Sequence, residues 1–258
     1  MVPADLAGPS IVRAVLSTLP EHLVASHITA ARFHGIPLPT PWQRDEPVHV
    51  SARPPHRAPQ RRGVRGHQDA ALEAVEVDGA RCASLLTTWR GLATMLGERD
   101  LTAAADWLIG RDCPLTGTLT VEDLARSLAP GGRGAGRARA ALAIADGDAA
   151  SPKESHLRHL VLSWGVPAPE VNADVHDDHG QWLGCSDLVW RSRKVAAEYE
   201  GDHHRTDRRQ WQLDIERIRL YEAAGWTVIR ATSRDLSRPA RLREALLRAL
   251  EDSGTRAA

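Results

Sequence analysis

The stretch DLVWRSRKVAAEYEGDHH, from Asp187 to His204, combines a strand-like pattern with an unusual density of acids and histidines. Residues 194–200 alternate between apolar and polar side chains, which predicts a β-strand. Successive side chains of a strand point to opposite faces, so Glu198 and Glu200 should share one face. The pattern therefore predicts two neighbouring carboxylates on a sheet surface.

The residues before this strand predict a hairpin that adds a third acid. With a loop over Trp190–Arg193, antiparallel pairing places Asp187 opposite Ala196 and makes Glu198 its diagonal neighbour. The sequence therefore predicts that the carboxylates of Asp187, Glu198 and Glu200 converge.

Converging carboxylates repel one another unless a cation, a shared proton or basic side chains compensate. A hard dication such as Mg²⁺ suits carboxylate oxygens, water and substrate phosphate, and His203 or His204 could move a proton near neutral pH. The alternative is that Asp187 ends a strand and that Glu198 and Glu200 line a solvated face. The combination of three acids, a Gly turn and two imidazoles favours a site.

The second half of the chain predicts the order helix, three strands, helix, strand, helix. Its first helix begins with a capping-box pattern, Ser151 as N-cap and Glu154 at N3, with Pro152 at the first helical position. This gives Glu154 a structural explanation beside a second possible role as an outer acid near the metal.

The helix predicted over residues 207–224 has an apolar stripe and an arginine-rich face. Arg208 and Arg217 on that face could clamp a scissile phosphate, or could lie on a solvated face with acidic partners. Arg230, in the strand that follows, is placed to reach back to one of the acids.

The front of the chain predicts a mixed set of elements over residues 1–130. Among them are a helix over His27–His34 that Gly35 ends, a strand VHVSA and a helix after Thr120. Residues 131–150 open with a Gly/Arg-rich stretch and predict a linker or connecting helix, and residues 151–258 form the second domain.

The densest basic segment, RPPHRAPQRRGVRGH over residues 53–67, predicts a contact surface for a phosphate backbone. Arg57, Arg61 and Arg62 are its candidate DNA-binding side chains. A solvated loop between two strands explains the same composition.

From about Ser151 to Leu250 the chain resembles the domain-of-unknown-function 559 family, which is similar to very-short-patch repair endonucleases of the PD-(D/E)XK superfamily. The resemblance is carried by SPKESHLRHL, GCSDLVW, VAAEYEGDHH, RRQWQLDIERIRLYEAAGW and VIRAT in that order. It implies a restriction-endonuclease-like αβββαβ core in which Asp187 and Glu200 bind metal, Glu198 supports them and His204 is the family's histidine. The chain departs from the family at Glu200, where Asp is usual, and lacks the superfamily's lysine two positions further on.

The first half resembles the middle region of abortive-infection antitoxin-like proteins. The matching segments are SHITAARFHGIPLP, GVRGHQ and RGLATML. The resemblance implies a smaller mixed α+β domain in front of a nuclease-like domain, and a toxin or repair protein as a possible partner.

The composition excludes some classes of protein but does not identify one function. Thirty-three basic and 33 acidic residues give a formal net charge of zero over 258 residues, so DNA affinity has to come from local patches. The three cysteines have no metal-binding spacing and indicate reduced thiols. No apolar run of about 18 residues occurs, so we expect a cytoplasmic protein without a membrane segment.

These observations predict an α/β protein whose second domain is a DNA endonuclease dependent on Mg²⁺ or Mn²⁺, in DNA repair or in defence against phage and other foreign DNA. Its catalytic set is Asp187, Glu198, Glu200, His204 and Glu154. The alternatives are a DNA-binding regulator or antitoxin-like protein that keeps the fold without catalysis, and a protein-binding module that presents Trp182 and Trp190.

Overall fold

The computed structural model describes residues 8–43, 45–110, 113, 119–201 and 208–255, except for the side chains of residues 208–215 and 253–255. The chain divides into two compact units, Met1–Gly147 (unit 1) and Asp148–Ala258 (unit 2). Both units mix helices and strands, and the protein is of the α/β class as predicted. None of the helices in the described ranges is both long and apolar enough to cross a membrane.

Unit 1 is built on a mixed five-stranded sheet with the order β3-β2-β1-β5-β4. The pairs β1/β2 and β4/β5 are antiparallel, and β1/β5 and β2/β3 are parallel. The elements in chain order are α1 (Gly8–Ser17), β1 (Val24–Ala25), α2 (His27–His34), β2 (Val48–Ala52), β3 (Val64–Gln68), β4 (Ala74–Val77), β5 (Ala80–Ala83), α3 (Leu85–Ala93), α4 (Glu98–Ile109), α5 (Val121–Ser127) and α6 (Ala135–Ala143).

Local signals place several of these elements as the sequence predicts. Helix α2 covers His27–His34 and ends at Gly35, whose positive φ of 77° suits a residue without a side chain. Helix α5 begins after Thr120, which exchanges side-chain and backbone hydrogen bonds with Asp123. Strand β2 occupies VHVSA and is buried along its whole length.

Residues 131–150, predicted to be a linker or a connecting helix, contain α6. The buried side chains of α6 join the helical core of unit 1 together with those of α3, α4 and α5. Gly134, which precedes the helix, has a φ of 79°, and a Cβ there would lie 2.1 Å from the carbonyl oxygen of Ala93. The chain therefore approaches the end of α3 too closely for any other residue.

Unit 2 has the predicted order of helix, three strands, helix, strand and helix, with one short helix added near its end. Its sheet has the order β6-β7-β8-β9, antiparallel except for the β8/β9 pair. The elements are α7 (Pro152–Leu162), β6 (Glu170–His176), β7 (Trp182–Trp190), β8 (Val195–Tyr199), α8 (Arg208–Ala223), β9 (Thr227–Ala231), α9 (Ser233–Ser237) and α10 (Ala240–Thr255).

Each face of this sheet has its own apolar core. One core joins side chains of α7 and α10 to the sheet through Leu157, Leu188, Trp190, Val195, Ala197, Leu242 and Leu246. The other joins Tyr221 of α8 to the sheet through Val175, Val189, Ala196 and Trp226. Helix α8 links the parallel strands β8 and β9 and so crosses the second face. The sheet therefore lies between α7 and α10 on one side and α8 on the other.

The hairpin between β7 and β8 differs from the predicted register. Ala196 pairs with Val189 rather than with Asp187, so the predicted pairing of these strands is wrong. The cause is Trp190, which is 4% exposed and donates its indole N–H to the carbonyl oxygen of Pro167 at 2.7 Å. Trp190 therefore stays in the strand, and Lys194, with a φ of 49°, completes the turn. A buried Trp190 also cannot be presented to a partner.

We expect Gly134→Ala to destabilise unit 1 by about 2 kcal/mol or more, because the added Cβ clashes with the Ala93 carbonyl and the positive φ is strained. The matched control is Gly136→Ala, within α6, where a Cβ meets no atom within 4 Å and helix propensity should raise stability by up to about 1 kcal/mol. Urea denaturation of both variants measures the difference, and equal midpoints would contradict the close approach.

Candidate functional site

The Asp187 carboxylate lies where the hydrogen-bonded pairing of β7 and β8 ends. The last residue pair of that ladder is Leu188 with Ala197. One residue beyond it on β7, Asp187 Oδ2 accepts the backbone N–H of Tyr199 at 2.6 Å. The Asp187 side chain thus replaces a backbone acceptor for Tyr199, and this contact fixes the carboxylate between β7 and β8.

Glu154 approaches this acid from the start of α7. Its backbone N–H donates to the side chain of the N-cap Ser151 at 3.2 Å, which confirms one half of the predicted capping box; the Glu154 carboxylate accepts the N–H of Ala150 instead of that of Ser151. Its own Oε2 accepts the backbone N–H of Ala150 at 2.9 Å and the amide of Asn172 at 2.8 Å. Asn172, in β6, has a φ of 43° and also donates to the carbonyl oxygen of Asp148 at 2.6 Å. These contacts fix the Glu154 carboxylate against the sheet.

Glu198 is held on the α8 side of the sheet by a basic partner. Arg217 Nη1 and Nη2 donate to its two carboxylate oxygens at 2.5 and 2.8 Å, and Ser186 Oγ donates to Oε1 at 2.7 Å. Tyr221 extends the network through a 3.1 Å hydrogen bond to Ser186. The paired Glu198 raises the pKa of the Arg217 guanidinium. Glu198 is therefore a neutralised acid.

Asp187 is the acid of this group with the most perturbed pKa. Burial raises the pKa of its carboxyl to about 7, and the charges of Glu154 and Glu198 act in the same direction. The N–H of Tyr199 and the charge of Arg217 oppose the rise without cancelling it. The structure thus brings Asp187, Glu198 and Glu154 together electrostatically.

Glu200, the third predicted carboxylate, has a different partner. Its Oε1 lies 2.7 Å from Nη2 of Arg230, and Glu198 is opposite Arg230 in the β8/β9 pairing. The expectation that Arg230 reaches back to an acid is confirmed. Within the described residues, no group of three or more His, Cys, Asp or Glu side chains is arranged to hold a metal ion.

Three predicted residues have no described side chain. His204 lies outside the described residues, as does His203, and Arg208 is described only as the first residue of α8. Arg217 is the predicted arginine of that helix whose position is known, and it contacts an acid of the site.

The basic segment of unit 1, residues 53–67, covers the connection between the parallel strands β2 and β3 and most of β3. Arg57 and Arg62 are exposed, and Arg61 makes one long side-chain hydrogen bond of 3.4 Å, to Thr18. Arg53 instead donates to the carbonyl oxygen of Leu72, so it has a structural contact. The three arginines predicted to contact DNA are therefore accessible.

Sequence reasoning missed the polar residues that orient the acids, namely Asn172, Ser186 and Tyr221. Asn172 could have been identified from the sequence, because asparagine is uncommon in strands and tolerates positive φ. Ser186 and Tyr221 could not have been identified in this way, since a serine in a strand and a tyrosine on the apolar stripe of a helix are common.

Comparison with known proteins adds relatives of unassigned activity. Two uncharacterized proteins of Mycobacterium tuberculosis, from strains CDC 1551 and H37Rv, are each 33% identical to this chain over 122 residues. The alignment covers 47% of this chain and 45% of theirs, so the match spans less than half of each relative. No protein-family model matches, and neither does any solved structure.

Asp187→Asn should stabilise unit 2 at neutral and higher pH. The folded carboxyl has a pKa of about 7 and the unfolded one about 4, so the native state loses stability as pH rises between these values. Asparagine cannot ionise and can still accept the Tyr199 N–H. We expect a gain of about 1–2 kcal/mol above pH 7, which solvent screening keeps below the full effect of the shift, and which vanishes near pH 4.

Urea denaturation from pH 4 to 8 measures this difference. The control is Asp178→Asn, which removes an exposed carboxylate that is paired with Lys194 at 2.7 Å. An Asp187→Asn variant that is no more stable than wild type at pH 8 would show that the buried charge is already compensated.

Proposed function

We propose that unit 2 is a metal-dependent endonuclease domain that hydrolyses phosphodiester bonds in DNA, in repair or in defence against foreign DNA. The observation that carries the proposal is the partly buried Asp187 carboxylate, fixed between two strands beside Glu154 and Glu198 with its pKa raised to about 7. Such a cluster costs stability, and perturbed acids of this kind concentrate at functional sites. The order αβββαβ supports the same proposal.

The acids fit a hard dication in part. Magnesium is usually bound by one or two carboxylates, with water and substrate phosphate completing its shell. Asp187 and Glu154 each use one oxygen in their described hydrogen bonds, and those bonds leave the other oxygen available. Glu198 and Glu200 fit less well, because Arg217 and Arg230 neutralise them. We therefore assign Asp187 as the anchoring ligand for Mg²⁺ or Mn²⁺ and Glu154 as its supporting acid.

The metal would neutralise charge on the phosphate and lower the pKa of a bound water. The protein's own residues hold the acids in place: Tyr199 positions Asp187 through its N–H, and Asn172 positions Glu154. Arg217 orients Glu198 and presents a planar guanidinium of the kind that suits phosphate oxygens. His204 is the proposed group for proton transfer.

A second candidate is a DNA-binding regulator or antitoxin-like protein that keeps the fold without catalysis. The observation in its favour is that arginines already neutralise two of the three predicted metal ligands, Glu198 and Glu200. The two candidates differ in whether replacing Asp187 changes any DNA chemistry.

Metal-dependent cleavage tests the proposal directly. Supercoiled, linear, mismatched and single-stranded DNA are incubated with Mg²⁺ or Mn²⁺ and with wild type, Asp187→Asn or the control Asp178→Asn. We expect cutting of at least one substrate by wild type and by Asp178→Asn, and none by Asp187→Asn because the anchoring ligand is removed. His204→Ala should slow cutting by about 10²- to 10⁴-fold if the imidazole transfers a proton.

Calcium supplies an internal check, because its looser coordination should support DNA binding without cleavage. If no substrate is cut, and wild type and Asp187→Asn bind DNA equally, the nuclease proposal fails and the regulator is preferred. Cutting that persists in Asp187→Asn would assign the activity to another site or to a contaminant.

The exposed arginines of unit 1 are the proposed DNA-backbone contacts. Replacing Arg57, Arg61 and Arg62 together by alanine should weaken DNA binding equally for all sequences. The slope of log affinity against log salt should become shallower by about 0.9 for each phosphate that the variant no longer neutralises. The control replaces three arginines outside this segment, Arg99, Arg126 and Arg139, and so removes the same charge. Equal slopes in the two triple variants would exclude the segment as a backbone contact.

A further inference from the structure

Unit 1 contains a polar cavity that the proposed nuclease site does not use. Its volume is about 410 Å³, within the range of small-molecule sites. It lies between the start of α2, the ends of β2 and β3, helix α3 and the segment that joins α5 to α6. Every residue that lines it belongs to unit 1, so the site is independent of the acids of unit 2.

The charges at this cavity favour an anion. Arg90, Arg133 and Asp69 are the charged residues of its lining. Arg90 Nη2 contacts Asp69 Oδ2 at 2.8 Å and the carbonyl oxygen of Ala71 at 2.9 Å, so these two opposite charges cancel. Arg133 is exposed and forms no ion pair with another described residue. Among the residues that the structure describes, the lining therefore keeps one guanidinium, that of Arg133, without an ion-pair partner.

A stack of imidazoles forms another part of the wall. The rings of His27 and His67 stack with centroids 3.7 Å apart, and His67 Nε2 lies 2.9 Å from Nδ1 of His49. Burial lowers the pKa of His27 to about 3 and that of His49 to about 4, and it also lowers the pKa of His67. Near neutral pH the rings are therefore uncharged, and each supplies one donor and one acceptor.

Two ring nitrogens of the lining histidines have no hydrogen-bond partner among the described residues. His27 uses Nδ1 in a 3.0 Å contact with Ser26, which leaves its Nε2 for a ligand, and His67 likewise keeps its Nδ1. Burying the two lining imidazoles, those of His27 and His67, costs desolvation that an apolar wall of similar size would avoid. A wall of this composition is better suited to a polar ligand than to packing alone.

We propose that this cavity binds a phosphate monoester, whose phosphate group lies at Arg133 and whose remaining atoms contact the imidazole wall of His27 and His67. Guanidinium groups donate in pairs to phosphate oxygens, and neutral imidazoles donate to them without adding charge. The phosphate monoester is either a free nucleotide or the 5′-phosphorylated end of a nucleic acid. Both offer the same group to the same side chains.

Isothermal titration calorimetry of the whole chain, without divalent metal, tests the proposal and separates the two sources. The probes are a nucleoside 5′-monophosphate, the same nucleoside, and a short oligonucleotide with either a 5′-phosphate or a 5′-hydroxyl. We expect at least one phosphate-bearing probe to bind with a stoichiometry of one and to exceed its unphosphorylated counterpart by at least about tenfold. Binding of the mononucleotide identifies a free ligand, and binding of only the phosphorylated oligonucleotide identifies a nucleic-acid end.

Arg133→Gln should weaken binding of the phosphate-bearing probe by at least about tenfold, and Arg133→Lys should restore part of it because the charge returns. Both variants change an exposed side chain, so folding is not at risk. The control is Arg139→Gln, an exposed arginine on α6 outside the lining. Equal affinity for phosphorylated and unphosphorylated probes, equal affinity of Arg133→Gln and Arg139→Gln, or no binding of any probe at millimolar concentration would each overturn the proposal.

Discussion

The hydrogen bond from the Tyr199 backbone N–H to the Asp187 carboxylate is the constraint on which the site of unit 2 depends. Where two strands stop pairing, the next backbone donor needs an acceptor. Here the Asp187 carboxylate accepts it. The hydrogen bond that ends the pairing of β7 with β8 therefore also fixes the position of the acid. The Leu188–Ala197 pair that precedes it is buried in the core shared with α7 and α10. Packing of the sheet thus determines where the acid lies.

The acids around this point are compensated unequally. Arg217 and Arg230 neutralise Glu198 and Glu200, and both contacts come from elements that follow these acids in the chain. Asp187 has a backbone donor and no described cation of its own, which is why burial dominates its pKa. Asp187 and Glu154 have only neutral donors in their described hydrogen bonds. Such an arrangement lowers stability, and a cost of this kind is common where a site has a function.

In unit 1 the ionisable groups at the cavity are neutral histidines, the ion pair of Arg90 with Asp69 and one exposed arginine. Its histidines meet across three elements, α2, β2 and β3, and burial keeps them neutral. The guanidinium of Arg133 therefore supplies the net charge at the cavity. Chain entry into α6 at Gly134 holds this segment against α3, so the close approach at Ala93 also shapes the cavity.

Local patterns in the sequence were sufficient for the order of elements in unit 2, the ends of α2 and the cap of α5, because periodicity and capping act within a few residues. The alternation that predicted a strand over residues 194–200 was also local, but β8 covers only Val195–Tyr199, so Glu198 lies in the strand and Glu200 one residue beyond its end. The hairpin register was not, since it depended on where the Trp190 indole could be buried and hydrogen-bonded.

The sequence by itself identified Asp187, Glu198, Glu200 and Glu154 as the candidate acids and placed Asp187 and Glu198 on neighbouring strands. Only the tertiary structure decided which of them are neutralised and which have only neutral donors, because Arg217 and Arg230 reach Glu198 and Glu200, and Asn172 reaches Glu154, from elements that are distant along the chain. The cavity of unit 1 was likewise invisible in the sequence, since its histidines and arginines come together only when the sheet and α3 pack. Electrostatic partners depend on distance in space, and no local pattern encodes that distance.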